Sequence, residues 1–163
     1  MRLRSIAFTA AFLTACLLLS CAGLLSAADT TVACPLLSPA QIGAAIGGTV
    51  GAGSPIVVPT SCQWVGQQGK RVTLTINQPR GGRSPVDQFN AGKTRQLPGV
   101  TTEPVGGVGD EAFYIYFTGQ NRAGCGLMVR KGSSVFEVRL YGFDLNQAKT
   151  VTKAIAQDVA GKF

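Results

Sequence analysis

Hydrophobic positions along this chain change their period several times. Val72, Leu74 and Ile76 alternate with Thr73, Thr75 and Asn77; Phe113, Ile115 and Phe117 alternate with Tyr114 and Tyr116; Phe136, Val138 and Leu140 alternate with Glu137 and Arg139. A period of two places alternate side chains on opposite faces of a strand, so these stretches are predicted half-buried strands. Shorter strand candidates cover residues 55–58, 61–65 and 125–130, and Lys131-Gly132-Ser133 reads as the turn into the strand at Val135.

Between the strands the punctuation is that of helices. Ser38-Pro39-Ala40-Gln41 supplies an N-cap, a proline at the first helical position and a glutamine at the third, ahead of Ile42, Ile46 and a Gly47-Gly48 stop. Ser84-Pro85-Val86-Asp87 repeats the signal before Phe89 and a polar stretch to Gln96, and Asp144-Leu145-Asn146-Gln147 opens a last helix. There Leu145, Ala148, Val151, Ile155 and Val159 recur at helical spacing, with Lys149, Lys153 and Asp158 off that line. Strands joined by short turns and flanked by such helices predict an α+β fold, an antiparallel sheet with helices packed on one face, including the amphipathic C-terminal helix. The repeated Ser-Pro start hints at a duplicated unit, although the residues that follow do not match.

The N-terminal region follows different rules. Arg2 and Arg4 precede an uncharged run from Ser5 to Ala27, the layout of a secretion signal. Residues 1–28 are therefore expected to be a signal peptide, and residues 29–163 a single α+β domain. Ser26-Ala27-Ala28 suits ordinary signal peptidase, whereas Leu18-Leu19-Ser20-Cys21 resembles a lipoprotein box whose Cys21 would carry a lipid and tether the domain to a membrane. Cleavage before Cys16 would leave three leucines directly behind the lipid. The run is also long enough to span a bilayer uncut. Each route places the domain outside the cytoplasm, in a periplasmic or extracellular setting.

Without that segment the charge changes less than the composition suggests. Of 15 Lys and Arg, two lie in the n-region, and all 8 acidic residues lie beyond it, so the remaining chain carries 13 − 8 = +5. The basic residues are scattered and do not interleave with aromatics, which argues against nucleic acid as a partner and for a solvated surface.

Three cysteines follow Ala28: Cys34, Cys62 and Cys125. In an oxidising compartment two of them are expected to pair. Cys34 lies just ahead of the first helix and Cys62 opens a strand, so the expected disulfide is Cys34–Cys62. Cys125 is then left as a small buried residue at a strand start.

The chain contains no histidine. That removes Ser-His-Asp and Cys-His pairs, histidine metal sites and the usual base near neutral pH. Asp110 and Glu111 are the one adjacent acidic pair, yet on a strand they would face opposite ways. Asp110 reads as shaping the glycine-rich turn, and no regular spacing of metal ligands accompanies it. No cofactor, metal or catalytic residue is expected.

Two binding features remain. Arg80-Gly81-Gly82-Arg83, ahead of a helix start, could hold a phosphate or carboxylate on two guanidinium groups and free backbone N–H groups. Tyr114 and Tyr116, with Tyr141 on a neighbouring strand, would form an exposed aromatic row if helices cover the other sheet face. The expected function is that of a non-catalytic exported envelope protein binding a protein, lipid or small ligand through an exposed sheet face. The alternative is an envelope enzyme that works with carboxylates or the Cys125 thiol.

Cys34-Pro35-Leu36-Leu37 before a helix, Cys62-Gln63-Trp64, the segment from Gly106 to Phe113 and the closing amphipathic helix resemble the small secreted lipoproteins of unknown function found in actinobacteria. The resemblance covers most of the chain beyond the signal. It implies the same Cys34–Cys62 disulfide and a sandwich similar to the PsbP-like fold, and it implies no activity.

Overall fold

The computed structural model describes residues 33–56, 60–95, 97–118 and 124–163. The expected signal peptide, with Cys16 and Cys21, lies outside the described residues, as do Val57 and Val58 of the first short strand candidate. A 3-10 turn at Cys34–Leu36 leads into α1 (Pro39–Ile46), followed by β1 (Ser54–Pro55), β2 (Ser61–Val65) and β3 (Arg71–Ile76). Then come α2 (Pro85–Lys93), β4 (Val100–Val105), β5 (Glu111–Phe117), β6 (Gly124–Lys131), β7 (Ser134–Tyr141) and α3 (Leu145–Ala160).

Both Ser-Pro starts are helix starts. Ser38 and Ser84 each accept the N–H of the third helical residue, and Gln41 and Asp87 reach back to the cap, closing a capping box at α1 and α2. Asp144 caps α3 by accepting the N–H of Gln147 at 2.9 Å.

The strands form one antiparallel seven-stranded sheet in the order β1-β2-β3-β7-β6-β5-β4. It is two meanders joined edge to edge, with β3 against β7 at the seam. Register explains its two unlike faces. Tyr114, Leu127, Val138, Leu74 and Cys62 stand opposite one another in a row across five strands, and all are buried in one apolar cluster with Trp64, Ile155 and Val159. The next row, Thr102, Ile115, Gly126, Arg139, Thr73 and Gln63, points the other way and is mixed.

α1 and α3 cover the apolar face. α3 turns Ala148, Val151, Ile155 and Val159 inward, the line read from its spacing, and Leu145 at its first position stays exposed. The α+β architecture with its packed C-terminal helix is as expected. α2 occupies the other face, at one end: its Phe89 packs on Phe113 of β5, ring centroids 5.0 Å apart, in a second cluster with Ile115 and Val135. Among the described residues no other helix packs on that face.

The Cys34–Cys62 disulfide is present. It ties the turn before α1 to β2 beneath Trp64. Gly53 fits here because it lacks a side chain, since a Cβ would stand 2.7 Å from the Trp64 indole nitrogen and 2.8 Å from the Cys62 sulfur.

Candidate functional site

The open face divides at a single stack. Arg139, central on β7, extends over β6 so that its guanidinium lies 4.6 Å from the centre of the Phe117 ring on β5. It can cross because β6 carries Gly126 at that level; a Cβ there would meet the Glu137 carboxylate at 2.8 Å and Arg139 Cγ at 3.3 Å. Glu137 is 7% exposed and accepts a hydrogen bond from Arg139 Nε. Burial works against the guanidinium charge, but the Glu137 carboxylate, aided by the Tyr141 hydroxyl, more than offsets it and raises the Arg139 pKa.

Between this stack and α2 lies a cleft of about 500 Å³. Its floor is mainly apolar, formed by Val100, Ile115, Phe117 and Met128, with Ala91 of α2 as a wall and Asn77, Gln88 and Thr102 as the uncharged polar residues of the lining. Arg80, Arg83, Arg95 and Arg139 border it, and among the described residues no carboxylate does. On the far side of the stack a shallower polar basin is lined by Thr73, Thr75, Glu137 and Tyr141.

Arg80 and Arg83 owe their places to the glycines between them. Gly81 and Gly82 adopt φ of 58° and 73°, the left-handed backbone that a two-residue hairpin turn needs. Arg80 N–H then donates to the Arg83 carbonyl at 3.0 Å, and Arg83 N–H to the Arg80 carbonyl at 3.1 Å. The two residues therefore face each other across the turn. Gln88 of α2 fixes the loop by donating to the Gln78 carbonyl at 2.8 Å. Among the described residues Arg80, Arg83 and Arg95 make no ion pair.

The helix start beside this pair is not a free anion site. Ser84 Oγ accepts the Asp87 N–H, and the Asp87 carboxylate accepts the Ser84 N–H and hydroxyl. Those bonds, with the Arg83 charge nearby, hold the Asp87 carboxyl below its usual pKa. The binding capacity of the Arg80-Gly81-Gly82-Arg83 turn therefore rests on its guanidinium groups alone.

The expected aromatic row is corrected. Tyr114 is buried beneath α3, its hydroxyl donating to the Lys149 carbonyl at 3.1 Å. Tyr116 stacks on it, with ring centroids 6.0 Å apart, and donates to Glu103 at 2.6 Å. Burial and the Glu103 carboxylate push the Tyr116 pKa up to about 12. The register line from Tyr114 through Leu127 and Val138 puts both tyrosines on the helix-covered face, so the ligand-accessible aromatic on β5 is Phe117. Tyr141 does stand on the open face, under the Arg71 guanidinium at 5.3 Å.

The adjacent acidic pair outside this face is occupied in structural bonds. Asp110 accepts the Gly132 N–H at 2.7 Å and the Lys131 ammonium at 3.2 Å, fastening the loop before β5 to the β6–β7 turn. Glu111 pairs with Lys93 and Arg130. Cys125 is the free cysteine among the described residues; it is 1% exposed, and burial pushes its thiol up to about 11. Among the described residues no three His, Cys, Asp or Glu side chains gather as a metal site requires.

Sequence reasoning did not single out Phe117, Met128, Arg95 or Arg139 as site residues. Two signals were available. β5 is apolar in both phases, as a strand covered on both faces must be, and Gly126 interrupts an otherwise apolar strand, which marks a close approach. Comparison of the chain with protein-family models, with curated proteins and with solved structures finds no match.

Proposed function

We propose that this chain is an exported, non-catalytic binding protein of the cell envelope that takes a small ligand on its open sheet face. One observation carries the reading: the cleft between α2 and the Arg139–Phe117 stack, which joins an apolar floor to a border of arginines. Its volume falls within the roughly 300–1,000 Å³ typical of ligand sites, and a few placed polar groups around an apolar lining is their usual composition. The alternative, an enzyme using carboxylates or Cys125, lacks comparable support, since Asp110 fastens a loop, Glu111 is ion-paired with Lys93 and Arg130, and the thiol is buried away from its reactive form.

Export is supported by the charged and then apolar N-terminal sequence and by a disulfide that reducing compartments disfavour. The likeness to small actinobacterial lipoproteins belongs to the same proposal, with Cys21 as the residue a lipid anchor would use. Intact-mass measurement of protein from a bacterial host, with cell fractionation, tests it: a start near Ala28 or Asp29 indicates a free domain, a lipidated Cys21 a tethered one, an unprocessed chain in the membrane fraction an uncut anchor, and an unprocessed chain in the cytoplasmic fraction overturns export.

The binding site itself is tested with an uncharged fluorescent probe, Nile red. Saturable binding that is lost in Ala91→Trp, which fills the cleft from the helix side, is the expected result. Binding absent from the parent protein, or unchanged in a correctly folded variant, rejects the cleft.

A further inference from the structure

We infer that the occupant of this cleft is a single-chain lipid with a phosphate head, held with its head at the Arg80–Arg83 turn and its acyl chain along the floor beneath α2. The inference rests on the proposed role of the cleft as a ligand site and adds the chemistry and orientation of the ligand.

The argument starts from charge. Four arginines and, among the described residues, no carboxylate border the cleft, so a cationic ligand would be repelled and a neutral one would leave the border unused. Arg139 already has Glu137 as its partner. Arg80, Arg83 and Arg95 make no ion pair among the described residues. They are also not equivalent. Arg80 and Arg83 are locked opposite each other by the Gly81-Gly82 turn, while Arg95 lies beyond the other end of α2. Nine helical residues separate the two ends by about 14 Å. The Arg80–Arg83 end brings two arginines to one turn where the other end has Arg95, and two guanidinium groups at one place suit a phosphate with its several acceptor oxygens.

The floor supplies the second half. Ile115, Phe117, Met128 and Val100 offer no hydrogen-bonding side chain to the ligand, apart from the weak acceptor of the Met128 sulfur. Leu97, 45% exposed, continues this apolar surface toward the β4 edge. A chain of methylenes leaving the head at Arg80 and Arg83 would cover that strip and bury it from water. A polar phosphate ester would fill the head position and leave the strip wet.

The test is calorimetric titration of the purified protein, disulfide intact, with three probes kept below their aggregation concentrations. Oleoyl lysophosphatidic acid has the proposed head and chain, oleoyl lysophosphatidylcholine has the chain without net charge, and glycerol 3-phosphate has the head alone. The inference expects one-to-one binding of lysophosphatidic acid, at least tenfold tighter than lysophosphatidylcholine, with no measurable binding of glycerol 3-phosphate. Arg80→Gln/Arg83→Gln should bring lysophosphatidic acid down to the level of lysophosphatidylcholine, and Arg95→Gln should change it less than threefold. Both substitutions are on exposed residues, and unchanged melting confirms the fold. Equal binding of the two lipids, abolished by Ala91→Trp, overturns the phosphate head and leaves the cleft standing as a ligand site. Tight glycerol 3-phosphate binding overturns the lipid. An equal loss in Arg95→Gln overturns the orientation, and no binding of any probe, Nile red included, overturns both readings.

Discussion

Arg139 and Phe117 meet across an intervening strand: a guanidinium on β7 lies 4.6 Å from the centre of a ring on β5, with Gly126 of β6 between the two strands. The cation covers the ring while the Glu137 carboxylate, nearly buried, bonds to it from the same strand. Removing the guanidinium would leave that nearly buried carboxylate without its ion partner. Arg139→Ala is expected to destabilise the fold by about 2–3 kcal/mol, below the largest values for broken buried pairs because the guanidinium keeps some solvent contact. Urea unfolding measures it, and Glu137→Gln in the same chain should recover part of the loss. A loss unaffected by Glu137→Gln would place the cost in packing on Phe117.

Gly53 is expected to tolerate no side chain. An added methyl would meet the Trp64 indole nitrogen and the Cys62 sulfur inside van der Waals contact, and both belong to fixed, fully buried groups. Overpacking of this kind costs about 1–3 kcal/mol. Gly53→Ala should lower the urea midpoint accordingly, whereas Gly48→Ala, where a Cβ meets nothing, should change it little.

Reduction should separate the cysteines sharply. The Cys34–Cys62 bond closes a loop of sequence separation 28, worth about 3–4 kcal/mol in the chain-entropy model. Cys125 is buried, its thiol shifted up to about 11. Near pH 8 the folded protein should therefore resist alkylation at Cys125, and denaturation should expose it while leaving the disulfide intact. Rapid labelling of the native protein at Cys125 would show that the α3 face opens.

Acid should act in part through Asp110. The Gly132 N–H and the Lys131 ammonium hold its carboxyl below the ordinary 3.8. The folded pKa is therefore lower than the unfolded one, so the stabilisation is complete above about pH 3.8 and disappears as pH falls through the folded value. Asp110→Asn should melt earlier than the parent at neutral pH, with the difference shrinking in acid. A pH-independent difference would trace the effect to hydrogen-bond geometry alone.

The helices and the strongest strands were legible because their signals are local. Ser38 and Ser84 sit before proline with a capping partner at the third position, and β3 and β7 alternate cleanly. β4 was not legible: Val100-Thr-Thr-Glu-Pro-Val105 has no apolar phase, and its Pro104 is tolerated because an edge strand needs only one set of ladder bonds. The faces of β5 were misassigned for a related reason. Tyr114, Tyr116, Phe113, Ile115 and Phe117 are all compatible with burial, so parity alone could not say which set α3 would cover. The answer lay in the pairing of Tyr114 with Leu127 and of Leu127 with Val138, which is register and not pattern. Arg80 and Arg83 stood out in the sequence because two guanidinium groups and a glycine turn precede a helix start; Arg95 and Arg139 did not, since what unites the four is a cleft shared by α2, β4, β5 and β7.

The seam between β3 and β7 sets an order of assembly. β3 is made early and β7 near the end, with α2 and three strands between them. Cys34 and Cys62 both precede β3, so the covalent staple has all its parts while the centre of the sheet is still missing. As the chain emerges N-terminus first, β3 presents an unpaired edge until β7 arrives. That interval is when another copy could take β7's place, and the yield of monomer from synthesis should fall as the expression level rises.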